Sequence, residues 1–228
     1  MSIVQGTERE AFSTQLRSAT SGAHDTAEHS GFMGALLGGE LGLAGAAALT
    51  RQLLELYTVL EQASDAQSLD PVAGTFVHPE LRRLPSLEAD LVVLAGEGWR
   101  STLPVLPATQ DYVDRLREVA FTWPGGFVAH HYTRYMGDLS GGVIIGRHLA
   151  SAIGRPDGAG TSFYRFEHIA KPKVFKDGYR SCLDAAPWDD EERLRVVDEV
   201  LAAYRHNSTV LSDLGARLPE LRAAAADA

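Results

Sequence analysis

The stretch His131-Tyr132-Thr133-Arg134-Tyr135-Met136-Gly137-Asp138-Leu139-Ser140-Gly141-Gly142 decides how this chain is read. The sequence on both sides of it reads as helix, yet Gly137, Gly141 and Gly142 stand where a helix ordinarily avoids them. Each interior glycine costs roughly 1 kcal/mol relative to alanine. Three of them about one turn apart strip one face of its side chains. Something large and flat can then press directly on the backbone. A single carboxylate, Asp138, stands among the glycines.

Most of the remaining chain also reads as helix. Leu43, Ala46, Leu49, Leu53, Leu56 and Leu60 step by three or four and predict one buried stripe. Ser86 is placed to cap a helix through Leu87, Leu91 and Leu94. Another carries Tyr112, Leu116 and Ala120 and stops before Trp123-Pro124. Asp189 or Asp190 can cap a long helix whose stripe is Leu194, Val197, Leu201, Tyr204, Ser208 and Leu211, with Pro219 near its end. No convincing alternating strand is present; Thr161 to Phe166 is the best candidate and is short and isolated. The Pro/Gly-rich stretch from Asp70 to Pro85 reads as a surface connection, as does Gly154 to Gly160. The economical fold is all-α, a single domain of about eight helices. We expect a flexible N-terminus over 1–10, the domain over 11–218 and a frayed C-terminus over 219–228.

With 228 residues, 45% of them hydrophobic, the chain can bury a sizeable core. A net charge of -9 argues against nucleic-acid partners, which select basic surfaces. The one cysteine, Cys182, forms no internal disulfide, fits a cytoplasmic setting and is expected to be a small buried hydrophobe. No apolar run reaches the roughly 18 residues of a transmembrane helix, so no membrane partner is expected. The first ten residues lack the apolar core of a signal peptide.

Two further features carry chemistry. Between Phe12 and Leu37, helical spacing projects Arg17, Thr20, His24 and Glu28 from roughly one side. Thr20, Ser21, Ala23 and Ala27 around His24 are small, which leaves room for a planar group over an imidazole. A histidine on a mixed helix face is as a rule an ordinary surface or core residue, and seven others compete with it; periodicity alone does not select His24. The second feature is a local basic stretch in an acidic chain, Lys171 to Arg180. Lys176 and Arg180 share a helix face, which taken alone reads as solvated.

The sequence Ala23-His24-Asp25-Thr26-Ala27-Glu28 with Gly31-Phe32-Met33, the pair Leu56-Tyr57, the run Tyr132 to Gly142 and the segment Phe175 to Arg180 together resemble the heme oxygenases, in that family's order, over roughly Leu16 to Leu214. The resemblance implies a soluble bacterial-type member, with heme b sandwiched between a proximal N-terminal helix and a glycine-kinked distal helix. His24 becomes the axial ligand of the heme iron, and Glu28 the acid that orients its ring. Gly137, Gly141 and Gly142 bring backbone against the distal side. Asp138 holds a water near bound oxygen and feeds it a proton, with Tyr57 and Arg134 in the same network. Arg17, Tyr132, Lys176 and Arg180 bind the two propionates. Arg17 lies about 10 Å along the axis from His24, and the family usually has lysine there, so a planar fork replaces a point donor. Met33, Phe32, Tyr204 and Leu211 wall the pocket.

The implied reaction converts heme and O2 to biliverdin, with α-meso cleavage, carbon monoxide and ferrous iron. Heme is both substrate and cofactor. Electrons come from outside, through a ferredoxin or a flavoprotein reductase, because no Gly-x-Gly-x-x-Gly fingerprint follows a strand. The expected state is a monomer. The main alternative is a non-catalytic heme carrier or sensor, which would have no use for Asp138 beside bare backbone. A di-iron bundle wants Glu-x-x-His pairs, and no glutamate here has a histidine three residues later.

Overall fold

Two long helices organise the protein: α3 (Gly42–Gln67) and α10 (Asp190–Ala216). Around them, in chain order, lie α1 (Phe12–Glu28), α2 (Gly31–Leu37), α4 (Leu84–Ala95), α5 (Trp99–Thr102), α6 (Pro107–Val119), α7 (Pro124–His131), α8 (Val143–Ala152), α9 (Pro172–Ala185) and α11 (Leu218–Ala226). The structure, a computed structural model, describes residues 10–28 and 30–227, without the side chains of 23–28. The expected flexible N-terminus therefore lies almost wholly outside the described residues. Among the described residues there is no strand, and no helix is long and apolar enough to cross a membrane.

The expected stripe on α3 understates its burial. Ala47, Ala48, Leu54, Val59 and Ala63 are buried as well, because α4, α6, α7 and α11 pack on it from several sides. A helix apolar nearly all round belongs in the interior. On α10 the Asp189 carboxylate accepts from the Glu192 backbone N–H at 2.8 Å, and three acids fill the first turn, where the helix dipole favours them. Leu194, which the spacing assigns to the buried stripe, is 58% exposed; apolar burial on α10 starts at Val196 and Val197.

Ser86 does not cap α4. Leu84 and Pro85 start the helix earlier, and the acceptor comes from α3: the Glu61 carboxylate takes the backbone N–H groups of Arg83 (2.5 Å) and Leu84 (3.1 Å). The Asp70–Pro85 connection is not merely superficial either. Ala73, Phe76 and Leu81 are buried, folded into two short 3₁₀ turns, and Arg83 is buried just before α4. Thr161 to Phe166, the best strand candidate, instead holds a third 3₁₀ turn at Ser162–Tyr164. Asp90 fastens it by accepting from the Ser162 and Phe163 N–H groups at 2.8 Å each, and the Arg83 guanidinium donates to the Arg165 carbonyl at 2.7 Å. The alanine-rich end differs from the fray expected of its composition. It is α11, held by buried Leu221 and by the Arg222–Glu40 ion pair.

His130 is a satisfied core histidine, 2.9 Å from Glu199 Oε1 and within 3.4 Å of the Tyr112 hydroxyl. Burial works against the Glu199 carboxylate, but its hydrogen bonds to His130 and Arg115 outweigh that and hold it down to about 2. Cys182 is half-buried against the core.

Candidate functional site

The glycine stretch is not a plain α-helix. Between α7 and α8 the chain runs through two π-helical segments, Tyr132–Met136 and Asp138–Gly142. A π segment widens the helix and rotates the residues after it, and such bulges concentrate at functional sites. Gly137 has φ -63° and ψ -50°, and Gly142 φ -55° and ψ -40°, ordinary helical values that any residue adopts. Glycine is therefore required here for space, not for backbone freedom.

The space differs from glycine to glycine. A Cβ added at Gly137 or Gly141 would meet no neighbouring atom within 4 Å. At Gly142 it would sit in normal contact, 3.6 Å from the Asp138 Cβ and from a Tyr164 ring carbon. At Gly146 it would lie 2.5 Å from the Tyr164 Cβ, which is steric overlap. Gly146 is thus a packing glycine, whereas Gly137 and Gly141 are bare walls of a cleft.

That cleft has two compartments meeting at Gly137 and Tyr204. The apolar one, about 360 Å³, is walled by Met33, Leu49, Leu53, Tyr164 and Leu211, with Asp138, Gly141 and Gly142 on the glycine side. The cationic one, about 440 Å³, gathers Arg17, Tyr132, Lys176 and Arg180 with Thr20 and Ser140. These four candidates for anion binding come from three separate parts of the chain and meet at one opening. Lys176 Nζ donates to Ser140 Oγ at 3.0 Å. Burial, then the neighbouring Arg180, press the Lys176 pKa below its ordinary value. Burial likewise pushes the Tyr132 phenol up, against the attraction of Arg180 and Arg17.

Asp138 is 8% exposed and points into a polar knot. The Tyr57 hydroxyl donates to Asp138 Oδ2 in a short hydrogen bond, Arg134 Nε donates to the Tyr57 oxygen at 3.3 Å, and an Arg134 terminal nitrogen donates to Asn207 Oδ1 at 2.8 Å. Burial raises the Asp138 carboxyl above its ordinary range; Arg134 and the Tyr57 hydrogen bond only partly oppose this. Burial also raises the Tyr57 phenol well above its ordinary range, so it stays a proton donor. Tyr57 lines neither compartment. It stands behind Asp138, wedged edge-on between Tyr135 and Phe163, with ring centroids 5.5 and 5.2 Å away.

One sequence assignment changes and three cleft residues are new. Phe32 is fully buried and borders a separate hollow of about 560 Å³ with Ser208 and Ser212, not the main cleft. On α10 the residue facing the cleft between Tyr204 and Leu211 is Asn207; Ser208 faces that other hollow. Tyr204, Asn207 and Leu211 keep helical spacing, so the register was open to either choice. Phe163 and Tyr164, which no pattern flagged, close the apolar compartment because Asp90 and Arg83 hold their turn there. The side chains of His24 and Glu28 lie outside the described residues; α1 brings Arg17 and Thr20 to the cleft. No cluster of three or more histidine, cysteine or acidic side chains able to hold a metal ion occurs among the described residues.

A flat hollow with bare backbone on one side and cations at one end fits a planar dianion such as heme. Comparison with known proteins agrees. The family profile "Heme oxygenase" matches residues 10–213. The "Heme oxygenase 1" of Synechocystis is 38% identical over 205 residues, covering 90% of this chain and 85% of that one. That of Rattus norvegicus is 36% identical over 210 residues, covering 91% and 73%. The crystal structure of heme oxygenase-1 from Synechocystis in complex with heme superposes with TM-score 0.86 at 37% identity, over 92% of this chain and 95% of that one. A heme oxygenase from Leptospira interrogans gives TM-score 0.84 at 34% identity, over 89% and 98%. Sequence, fold and cleft thus lead to one placement: the chain belongs to the heme oxygenase family, enzymes of heme degradation.

Proposed function

We propose that the chain, as one domain that includes α11 beyond the expected boundary at 218, takes heme b into this cleft and converts it with O2 and external electrons to biliverdin IXα, carbon monoxide and ferrous iron. The observation that carries this is the pairing of two open glycine walls, Gly137 and Gly141, with a buried carboxyl beside them and a cationic opening beyond. When bound, heme supplies the iron that activates O2; the protein supplies grip, orientation and protons. His24 ligates the iron from the α1 side, and Glu28 fixes its ring tautomer. Arg17, Lys176, Arg180 and the Tyr132 hydroxyl bind the two propionates and so choose the α-meso edge. Gly142 and Tyr164 close the wall behind Asp138. Met33, Leu211 and Tyr204 exclude water.

Proton delivery runs through Asp138. Tyr57 occupies Oδ2, and the proton is held and passed on at Oδ1. Arg134, anchored by Asn207, fixes the Tyr57 hydroxyl. A raised carboxyl pKa brings the donor closer to the operating pH, where general acid catalysis works best. The electron donor is a ferredoxin or a flavoprotein reductase, and the enzyme acts as a cytoplasmic monomer.

Hemin titration followed by ascorbate or a ferredoxin system in air tests the reading. A Soret band that forms and then gives way to red biliverdin absorption, with carbon monoxide trapped by myoglobin, is expected. A Soret band that survives reductant and oxygen would make the protein a heme carrier or sensor.

Two further outcomes are expected of the cleft. Gly141→Ala should stabilise the heme-free protein by about 0.5–1 kcal/mol, since the methyl meets nothing and the chain loses unfolded-state entropy. The same methyl intrudes on the ligand, so hemin affinity falls. Gly146→Ala forces Tyr164 aside and costs about 1–3 kcal/mol. Urea melts and hemin titrations of both variants check the contrast; equal stability changes would erase the distinction between wall and packing glycines. Separately, Lys176→Ala with Arg180→Ala removes two charged contacts of about 1.5–3 kcal/mol each, less the solvent screening of a partly open rim. Hemin affinity should fall at least about tenfold, which is 1.4 kcal/mol, and depend less on salt.

A further inference from the structure

One buried pair has no part in heme binding or proton delivery. Tyr179 on α9 and His131 at the end of α7 are 2% and 1% exposed. The Tyr179 hydroxyl oxygen lies 2.9 Å from His131 Nδ1, within hydrogen-bond reach, and the two rings lie within 11° of parallel. Burial pushes the phenol well above its ordinary range and the imidazole down to about 3, so His131 is neutral and able to accept at physiological pH. Packing does not demand such a pair. Exchanging both partners of a buried hydrogen bond for apolar groups of the same shape is nearly neutral.

Two aromatic routes join the pair to the cleft. Tyr132 lines the cationic compartment, and its ring centroid is 6.3 Å from that of Tyr179. On the other side, Tyr57, bonded to Asp138, is 5.5 Å from Tyr135, and Tyr135 is 4.4 Å from His131. Each gap is a ring-to-ring contact, short enough for an electron to cross in steps.

We propose that Tyr179 and His131 form a redox-active pair that donates one electron toward the cleft when a hydroperoxide has oxidised the bound heme beyond the ferric state. This rests on the reading that the cleft holds heme. The hydroperoxide O–O bond breaks as it takes two electrons and two protons, giving an alcohol and water and leaving two oxidising equivalents at the heme. Tyr179 refills one. Its electron leaves through Tyr132 or Tyr135, its O–H bond breaks, and the proton forms an N–H bond at His131 Nδ1. An oxidised phenol is a far stronger acid than an imidazolium, so the proton stays on His131 and a neutral phenoxyl radical remains. The external reductant of normal turnover returns the electron, and the proton goes back. The pair thereby withdraws oxidising power from Met33, Tyr204 and the other walls of the cleft, and from Tyr57 behind Asp138.

The test uses the hemin-loaded protein with cumene hydroperoxide, freeze-quenched for electron paramagnetic resonance. A Soret titration comes first; failure to bind hemin would overturn the heme reading itself, separately from any result on the radical. With hemin bound, a tyrosyl signal is expected that changes on incorporation of ring-deuterated tyrosine. Tyr179→Phe leaves the buried His131 Nδ1 unpaired and should melt a few degrees lower; it should lose that signal while keeping hemin affinity and initial biliverdin rate, and should inactivate faster under hydroperoxide. His131→Leu keeps the phenol without its partner, so any residual radical should show a raised g1 from loss of the hydrogen bond. No tyrosyl signal in the parent protein, or an undiminished one in Tyr179→Phe, would overturn the proposal, as would an unchanged g1 in His131→Leu.

Discussion

Asp138→Ala is expected to take up hemin with unchanged affinity and to form biliverdin about 10²- to 10⁴-fold more slowly, the usual weight of a positioned general acid. The two effects separate because the groups that grip heme and the group that moves the proton occupy different ends of the cleft. Arg17, Lys176 and Arg180 stand in the cationic compartment, while Asp138 borders the apolar one. Loss of the carboxylate also leaves the Tyr57 hydroxyl without its acceptor, at a cost of about 1–3 kcal/mol in stability. Asp138→Asn controls for this, because an amide oxygen still accepts from Tyr57 but holds no proton to pass on. Without proton delivery, oxidising equivalents should drain into peroxidase-like chemistry on added phenols. Hemin titration, biliverdin absorbance and a phenol-oxidation assay measure all three. Biliverdin at the parent rate in either variant would sink the assignment of Asp138.

The second large effect belongs to the proximal side. His24→Ala should still bind hemin, loosely, because the cationic opening and the apolar walls remain. Turnover should disappear, since without an axial ligand the iron is neither held in register nor supplied with electron density. Added imidazole should restore both the parent absorption spectrum and biliverdin formation, because Thr20 and Ser21 beside that position are small. Full activity without imidazole would remove His24 from its role, and the other histidines would have to be tested. His130 and His131 are poor substitutes, since both are buried and already bonded to Glu199 and Tyr179.

The helical class and most helix positions were legible because their signal is local. The step of three or four from Leu43 to Leu60, the carboxylate of Asp189 before an acidic turn and the Trp123-Pro124 break each act within a few residues. The glycine stretch was legible for the same reason. Its exposed face, its carboxylate and its aromatic neighbours lie within twelve residues of one another. Spacing alone grouped Lys176 with Arg180, but joining both to Arg17 required a resemblance, since nothing in the intervening chain brings α9 to α1. Asn207 was missed because helical spacing permitted Ser208 equally well, and only the packing of α10 separated the two.

What the sequence determined by itself is therefore the all-helical class with most of its helices, the bare glycine backbone and the presence of one carboxylate among the glycines. All arise from interactions within a few turns of chain. The tertiary structure decided which glycines are walls and which are packing. It also set the π register that aims Asp138 into the cleft and delivered Phe163 and Tyr164 to its rim through Asp90 and Arg83. Those outcomes depend on hydrogen bonds and contacts between residues some 70 to 80 positions apart, such as Tyr57 with Asp138 and Asp90 with Phe163. No local pattern encodes such pairings, because their geometry exists only once the helices between them have packed.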